Sequence, residues 1–152
     1  MELKKESMQI LKEKSRAKSQ ITFDEDFNVP DAKPDAGRLI QNKGRIIMDD
    51  VRLTDGKGIL TGNLQVDILY VGEESGIVSS LTVKLPFEET LNLKNIINGD
   101  KMCLKWEIED LTIRLIHSRK LNIKALVTFC ATVDETRLKN KYVICEKQRI
   151  FG

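Results

Sequence analysis

The chain has 152 residues and a formal net charge of +2 at pH 7, with 32% charged and 41% hydrophobic residues. This length supports one hydrophobic core and is short for two independent domains, and the composition is typical of a soluble globular protein. So small a positive surplus gives no electrostatic case for binding nucleic acid or an anionic membrane. No apolar run approaches the roughly 20 residues that span a bilayer, and none follows Lys4 and Lys5 as a secretion signal would require.

The three cysteines are Cys103, Cys130 and Cys145, which lie far apart and form no Cys-x-x-Cys pair. An odd, sparse set argues against a disulfide framework and in favour of a reducing compartment.

Residues 1–19 are dominated by Lys, Glu, Ser and Arg, and their pattern leaves helix and strand open. Met8 and Leu11 would share a helix face, whereas Met8 and Ile10 would share a strand face. Basic side chains on an edge strand prevent stray pairing with other chains. We therefore interpret the basic residues of this stretch as a solvated edge strand, with a binding stripe as the alternative. They are Lys12, Lys14, Arg16 and Lys18.

Residues 20–28 are predicted to form a strand, because Ile21 and Phe23 alternate with polar neighbours. The next segment contains Pro30 and Pro34, which remove two backbone donors and push the preceding residues towards extended conformations. It cannot be a central strand. Asp35 is positioned to cap a short helical turn over residues 37–40.

Five carboxylates fall between Asp24 and Asp35, which raises the question of calcium. Their spacing does not fit a calcium-binding loop of the Asp-x-Asp-x-Asp-Gly type. Turn formation and capping is the better interpretation, and no metal site is predicted.

The strongest local signal lies between Asp49 and Val71. Asp55-Gly56 separates two runs with period-two hydrophobicity, and such a dipeptide predicts a tight hairpin. After the turn, the apolar face of the second strand contains Leu60, Gly62, Leu64, Val66, Ile68 and Tyr70. One face of this strand should therefore be buried and the other wet.

More strands follow at regular intervals. A turn is predicted at residues 72–76, and a strand at 77–88 whose Pro86 favours an edge position or a bulge. A loop or a single helical turn is predicted at 95–100. The apolar parity flips between Ile108 and Leu111, which predicts a bulge or a sheet crossing.

Ser118-Arg119 marks a further turn. The cleanest alternation in the chain runs over residues 121–133, and a last strand is predicted at 141–145. This spacing predicts an all-β protein, either an antiparallel β-sandwich or a coiled sheet with long strands and at most short helical turns. We treat residues 1–152 as a single domain, with 1–19 as a peripheral strand or helix and 146–152 as a tail or the start of a linker.

No constellation of catalytic residues is visible, so the chain is not expected to be an enzyme or to need a cofactor. The only histidine, His117, lies at a predicted turn. No serine stands in a nucleophile elbow, and no basic run that would activate a thiolate adjoins a cysteine. Aromatic residues make up only 5% of the chain and follow the apolar stripes, which leaves little surface for stacking sugars or bases.

One segment resembles a known family. The run Val29-Pro30-Asp31-Ala32-Lys33-Pro34-Asp35 resembles the Val-Pro-Asp-x-Lys-Pro-Asp signature of the SipL-type spore-coat assembly domain (SPOCS domain) of clostridia. The resemblance continues through residues 62–70, 106–112 and 118–121, and it covers about residues 3–145. It corresponds to the N-terminal domain of the family only, since the LysM module that commonly follows is not visible here.

The resemblance implies a non-enzymatic scaffold or adaptor in spore-coat assembly, on the cytoplasmic, mother-cell side of the forespore surface. It implies contacts with other spore-coat morphogenetic proteins, including the coat-forming ATPase, and self-association. The ATPase contact is attributed mainly to the LysM module, and the ending Gln148–Gly152 suggests a fragment of a longer chain. The alternative is a β-sandwich that binds a small ligand or a glycan.

The candidate site is the proline segment, whose motif residues are Val29, Pro30, Asp31, Lys33, Pro34 and Asp35. Two interpretations stay open for it. A stiff, extended loop is an easy docking platform for a partner. The same stiffness would also suit a rigid crossover that orders two sheets, and this structural interpretation is the favoured one.

Overall fold

The computed structural model describes residues 11–94 and 101–136, which form strands and turns. The strands are β1 (Leu11–Asn28), β2 (Ala36–Thr54), β3 (Lys57–Gly72), β4 (Val78–Asn92), β5 (Lys101–His117) and β6 (Lys120–Thr136). They make two three-stranded sheets, in the orders β1-β6-β5 and β2-β3-β4. Every pairing is antiparallel. The predicted all-β antiparallel architecture is therefore confirmed.

The central strands of the two sheets carry most of the core. In β6 every second side chain from Leu121 to Val133 is buried, as its alternating pattern predicted. In β3 the same period buries Leu60, Leu64 and Tyr70. The sheets pack on each other through these faces, and Phe87 of β4 lies between two aromatic rings of the other sheet. Its ring centroid is 5.3 Å from that of Phe129 and 6.2 Å from that of Phe23.

The hairpin between β2 and β3 has the predicted tight turn. Thr54 pairs with Lys57, which leaves only Asp55 and Gly56 in the loop. Both turn residues have positive φ, 30° for Asp55 and 76° for Gly56. Two successive positive φ values are typical of a type I′ turn, whose twist matches that of the flanking strands.

The predicted bulge in β5 is also confirmed, because the register with β6 shifts between Ile108 and Asp110. The expected helical turn over residues 37–40 is wrong, since β2 begins at Ala36. Register shifts after Ala36, Leu39 and Met48 break the alternation of β2. Each bulge adds one residue and moves the apolar set to the other face, so this strand has no readable period.

Each sheet has two edge strands, β1 and β5 in one sheet and β2 and β4 in the other. β4 is an edge strand of its sheet, which is the first of the two alternatives that Pro86 left open. Residues 11–19 belong to β1, the edge strand of the other sheet, so this part of the N-terminal stretch is strand rather than helix. β1 and β4 lie next to each other along one side of the sandwich. There the Ser19 hydroxyl donates to the Glu89 carboxylate, and the Lys94 N–H donates to the Ser15 hydroxyl at 2.9 Å.

β2 and β5 meet at the opposite side. A Cβ on Gly44 of β2 would lie 2.8 Å from Cδ2 of Leu111 in β5. The absence of a side chain at this position therefore lets the two edge strands approach each other closely.

The remaining predictions concern residues outside the described ranges, the cysteines and membrane-spanning segments. The loop at 95–100, the strand at 141–145 and the tail at 146–152 lie outside the described residues. Cys103 is disulfide-bonded, which corrects the expectation of a chain without disulfides, whereas Cys130 is a free thiol. Across residues 11–94 and 101–136, no helix is long and apolar enough to span a bilayer.

Candidate functional site

The proline segment connects the two sheets. It begins where β1 ends and finishes where β2 starts in the other sheet. The Val29 N–H donates to the Arg119 carbonyl at 2.8 Å, and the Ala36 N–H donates to the Ser118 carbonyl at 2.7 Å. The Glu73 N–H donates to the Asp35 carbonyl at 2.9 Å. The backbone of the segment is thus bonded to the β5–β6 turn at both ends and to the β3–β4 turn at its C-terminal end.

The side chain of Arg119 lies at the centre of this arrangement. Its Nη2 donates to the carbonyls of Val29 and Pro30, both at 2.8 Å. Its Nη1 donates to the Lys33 carbonyl at 3.0 Å and to Oδ1 of Asp35 at 2.8 Å. A planar guanidinium suits this task because its fork of donors can meet several fixed acceptors at once. A charge-assisted contact to each end of the segment holds the loop in one conformation.

Tyr70 supports the second proline from the core side. Its hydroxyl donates to the Pro34 carbonyl at 3.0 Å, and its ring is fully buried in the core. Burial raises the pKa of the Tyr70 phenol, which favours the protonated O–H that donates this bond. The loop closes on itself as well, since the Lys33 N–H donates to the Pro30 carbonyl at 2.9 Å.

The predicted site residues divide into two groups. Val29 is only 4% exposed and belongs to the core, and Asp35 is half-buried against Arg119. The other members are exposed and form the outer surface of the loop, which we call the proline crest: Pro30, Asp31, Lys33 and Pro34. The structure therefore brings the whole motif into one loop whose anchored residues and solvent-facing residues are distinct.

Arg119 and Tyr70 were not predicted as parts of this site. Arg119 follows the proline segment by more than eighty residues, and its only sequence signal is its place in the resembling stretch 118–121. Tyr70 was assigned to the core stripe of β3, which is correct, but its hydroxyl contact depends on the packing of the two sheets.

The described residues show no arrangement typical of catalysis or metal binding. His117 is exposed, and its Nδ1 accepts a hydrogen bond from the Arg119 N–H at 3.1 Å. Within the described ranges, no group of three His, Cys, Asp or Glu side chains could hold a metal ion.

The acidic residues of β1 have a different role. Asp24 and Asp26 both accept from the side-chain amide of Asn122, at 3.0 and 2.9 Å. That hydrogen bond, together with the charge of Lys120, lowers the pKa of Asp26. These carboxylates therefore act in cross-strand pairing between β1 and β6.

Comparison with protein families gives a match. Residues 35–116 match the family described as SipL, SPOCS domain. The chain belongs to this family. The matched stretch begins at the last residue of the proline segment and extends through β2, β3, β4 and nearly all of β5. The suspected resemblance is thus confirmed, and it places the chain in a sporulation-related family. Neither the curated proteins nor the solved structures contain a match to this chain.

Proposed function

We propose that this domain is a non-enzymatic scaffold or adaptor in spore-coat assembly, acting through protein–protein contacts on the mother-cell side of the forespore surface. The observation that carries the proposal is the match of residues 35–116 to the SipL SPOCS domain. Its proposed partners are other spore-coat morphogenetic proteins, including the coat-forming ATPase, and further copies of the same chain.

The proline crest is the proposed contact surface. Its side chains are exposed, while hydrogen bonds from Arg119 and Tyr70 hold the backbone beneath them. A loop that is already ordered loses little conformational entropy on docking, so more of the contact energy appears as affinity. The crest also offers charges of both signs, from Asp31 and Lys33, which can select a complementary partner.

The test is capture of coat proteins from sporulating cells on the immobilised domain, with the captured proteins identified by mass spectrometry. The double variant Asp31→Lys/Lys33→Glu exchanges two exposed charges without changing the net charge. The matched control is Lys84→Glu/Glu88→Lys, which makes the same exchange on β4.

We expect the crest variant to lose coat-protein capture while the control retains it. The melting temperature of the control should be unchanged, and that of the crest variant should fall only slightly, because Asp31 is fully exposed and lies 3.7 Å from Arg119 Nη2. Equal capture by both variants would remove the crest as a contact surface. If the unaltered domain captures no coat protein, the adaptor function itself is wrong.

A second variant separates docking from a purely structural role. Pro30→Ala/Pro34→Ala increases the conformational freedom of the unfolded chain. It should therefore lower the free energy of unfolding by about 0.4–1 kcal/mol for each proline replaced. If the double variant lowers the melting temperature but leaves capture unchanged, the prolines serve as a rigid crossover between the sheets. A loss of capture that exceeds the loss of stability would assign them to the contact surface.

A further inference from the structure

β4 is the most regular edge strand in the part of the chain that the structure describes. Its register with β3 runs from Val78 to Asn92 without a shift, whereas the pairings of β1, β2 and β5 each contain at least one register shift. β2 and β5 also adjoin each other across a groove of about 710 Å³. Register shifts, prolines and charged side chains protect a sheet edge from pairing with another chain. Residues 78–85 of β4 contain neither a shift nor a proline, and Lys84 is their one charged residue.

The backbone groups that face the open edge of β4 belong to its even-numbered residues. At the start of the strand the Gly72 N–H donates to the Ile77 carbonyl at 2.9 Å, so the odd-numbered residues bond to β3. In an antiparallel strand, successive residues direct their N–H and C=O groups to opposite sides. Pro86 agrees with this alternation, because a strand tolerates a proline where the missing N–H would face outwards. The outward-facing groups therefore belong to the exposed residues Val78, Ser80, Thr82 and Lys84.

This half of the edge is open among the described strands, where β4 is paired with β3 alone. The hydrogen bonds that β1 makes on this side join Ser15 and Ser19 to Lys94 and Glu89, which both follow Pro86. Residues 78–85 thus present unpaired donors and acceptors to which a further strand can be added.

A second copy of the chain fits this edge if the two β4 strands run antiparallel about a two-fold axis at Leu81. Ser80 then lies opposite the partner's Thr82, and Val78 lies opposite the partner's Lys84. Each of these pairs consists of outward-facing residues, so its members can exchange both backbone hydrogen bonds. The side chains of each pair also lie on the same face of the sheet, because paired residues have the same parity.

Neighbouring registers fit less well. An axis at Thr82 would place Pro86 opposite Val78, and the missing N–H of the proline would remove one bond from that pair. An axis at Ser80 would place Lys84 opposite the β3–β4 turn, where the partner's strand has ended. The register about Leu81 is therefore the one that uses every outward-facing group between Val78 and Lys84.

The side chains brought together by this register are complementary. The Thr82 hydroxyl donates to Asp67 at 2.7 Å, so it can accept from the partner's Ser80. Hydroxyl pairs of this kind stabilise neighbouring strands. Ile77, which is 67% exposed, falls opposite the partner's Leu85, which is half-buried.

The one charge of the open stretch does not oppose the pairing. The two copies of Lys84 lie six residues apart along the paired strands, which is about 20 Å and exceeds the Debye length of about 8 Å at physiological salt. Each lysine instead extends its alkyl chain beside the partner's Val78, which is 56% exposed in the single chain.

We propose that the edge of β4 pairs with the β4 edge of a second copy of this chain and joins the two sheets into one continuous antiparallel sheet. The occupant is a second copy because the open stretch is complementary to itself in backbone groups, hydroxyls and apolar side chains. The pairing supplies the self-contact that the proposed function includes, and its biological role rests on that function.

The test is the mass of the domain over a wide range of concentrations, measured by light scattering behind size exclusion, together with amide hydrogen exchange. We expect the mass to rise from one copy to two, because a two-fold contact closes on itself. Exchange at Ser80, Thr82 and Lys84 should slow as the concentration rises. A domain that stays monomeric, or that forms larger assemblies, would overturn the proposal. Protection that does not depend on concentration would also overturn it, since another part of the chain would then cover the edge.

Charge substitutions test the register. Val78→Lys places like charges opposite each other at two symmetric positions and should weaken the dimer about two- to thirtyfold, whereas Val78→Glu faces the partner's Lys84 and should strengthen it by a similar factor. The control Val51→Lys makes the same change at an exposed valine of β2 and should leave the dimer constant within about twofold. Equal dimerisation of the two Val78 variants would contradict the register.

A proline substitution tests the edge itself. Ser80→Pro removes an outward-facing N–H, so it should abolish the dimer while β4 stays paired with β3. Thr90→Pro is the matched control, because its N–H contacts only its neighbour Glu89 in the structure, at 3.3 Å, and it lies beyond the paired stretch. If both variants remain folded by circular dichroism and dimerise equally, β4 is not the interface.

Capture of coat proteins by the same variants separates this proposal from the proposed function. A monomeric domain that captures coat proteins would remove the β4 pairing and leave the adaptor function in place. A dimer that Ser80→Pro dissociates, but that captures no coat protein, would support the pairing and remove the adaptor function.

Discussion

Replacing Arg119 with alanine tests whether one side chain orders the crossover between the two sheets. The guanidinium donates to three backbone carbonyls at 2.8–3.0 Å and to the Asp35 carboxylate at 2.8 Å. The Arg119 side chain is 32% exposed, so the freed carbonyls can rehydrate. We therefore count about 1 kcal/mol for each carbonyl bond and about 0.5 kcal/mol for the ion pair. Arg119→Ala should lower the free energy of unfolding by about 3.5 kcal/mol.

Urea unfolding monitored by circular dichroism measures this change. For a chain of this length, the melting temperature should fall by about 7–14 °C. Arg119→Lys keeps the charge but provides a single point donor, so it should recover less than half of the loss. The matched control is Arg52→Ala, because Arg52 is 67% exposed and forms only a surface pair with Asp50 at 3.2 Å. That control should change stability by less than about 0.5 kcal/mol. An Arg119→Ala variant as stable as the control would refute the reasoning.

Two further predictions concern packing and pH. Gly62→Ala would press a Cβ against the backbone carbonyl of Ile47, so it should cost about 2–3 kcal/mol in urea unfolding. At Gly76 (φ 65°) an added Cβ meets nothing within 4 Å, so the same change should cost only the backbone strain of about 1–2 kcal/mol. Equal losses at the two glycines would contradict the packing argument. The hydrogen bond from Asn122 lowers the pKa of Asp26 in the folded state. The ionised Asp26 carboxylate therefore stabilises the fold above the unfolded-state pKa of about 3.9, and this stabilisation is lost as the pH falls through the lowered folded-state pKa. The melting temperature of the Asp26→Asn variant should therefore decrease less than that of the unaltered domain between about pH 5 and 2. An equal decrease in both proteins would show that the Asp26–Asn122 pair does not contribute to stability.

Local sequence patterns were sufficient to predict much of the fold. The alternation of β3 and β6 depends on residues two apart, and the Asp55-Gly56 turn depends on the conformational freedom of adjacent residues. The parity change after Ile108 marked the bulge in β5 for the same reason. These signals act over a few residues, so they are readable without knowledge of the tertiary structure.

β2 shows where local reading fails. Its three register shifts remove the alternation, and much of the strand is exposed, so its apolar residues follow no period. The helical turn expected after Asp35 was wrong for a related reason. The Asp35 side chain accepts from Arg119 instead of capping a helix, and that partner lies more than eighty residues away.

The sequence by itself determined the all-β class, the alternating strands β3 and β6, the tight Asp55-Gly56 turn and the family of this protein. Only the tertiary structure decided how the strands divide between two sheets, how the proline segment is held, and where a groove opens between β2 and β5. The physical reason is the range of the interactions. Strand period and turn conformation are properties of neighbouring residues, whereas the Arg119 contacts and the groove form between segments that meet only when the two sheets pack together.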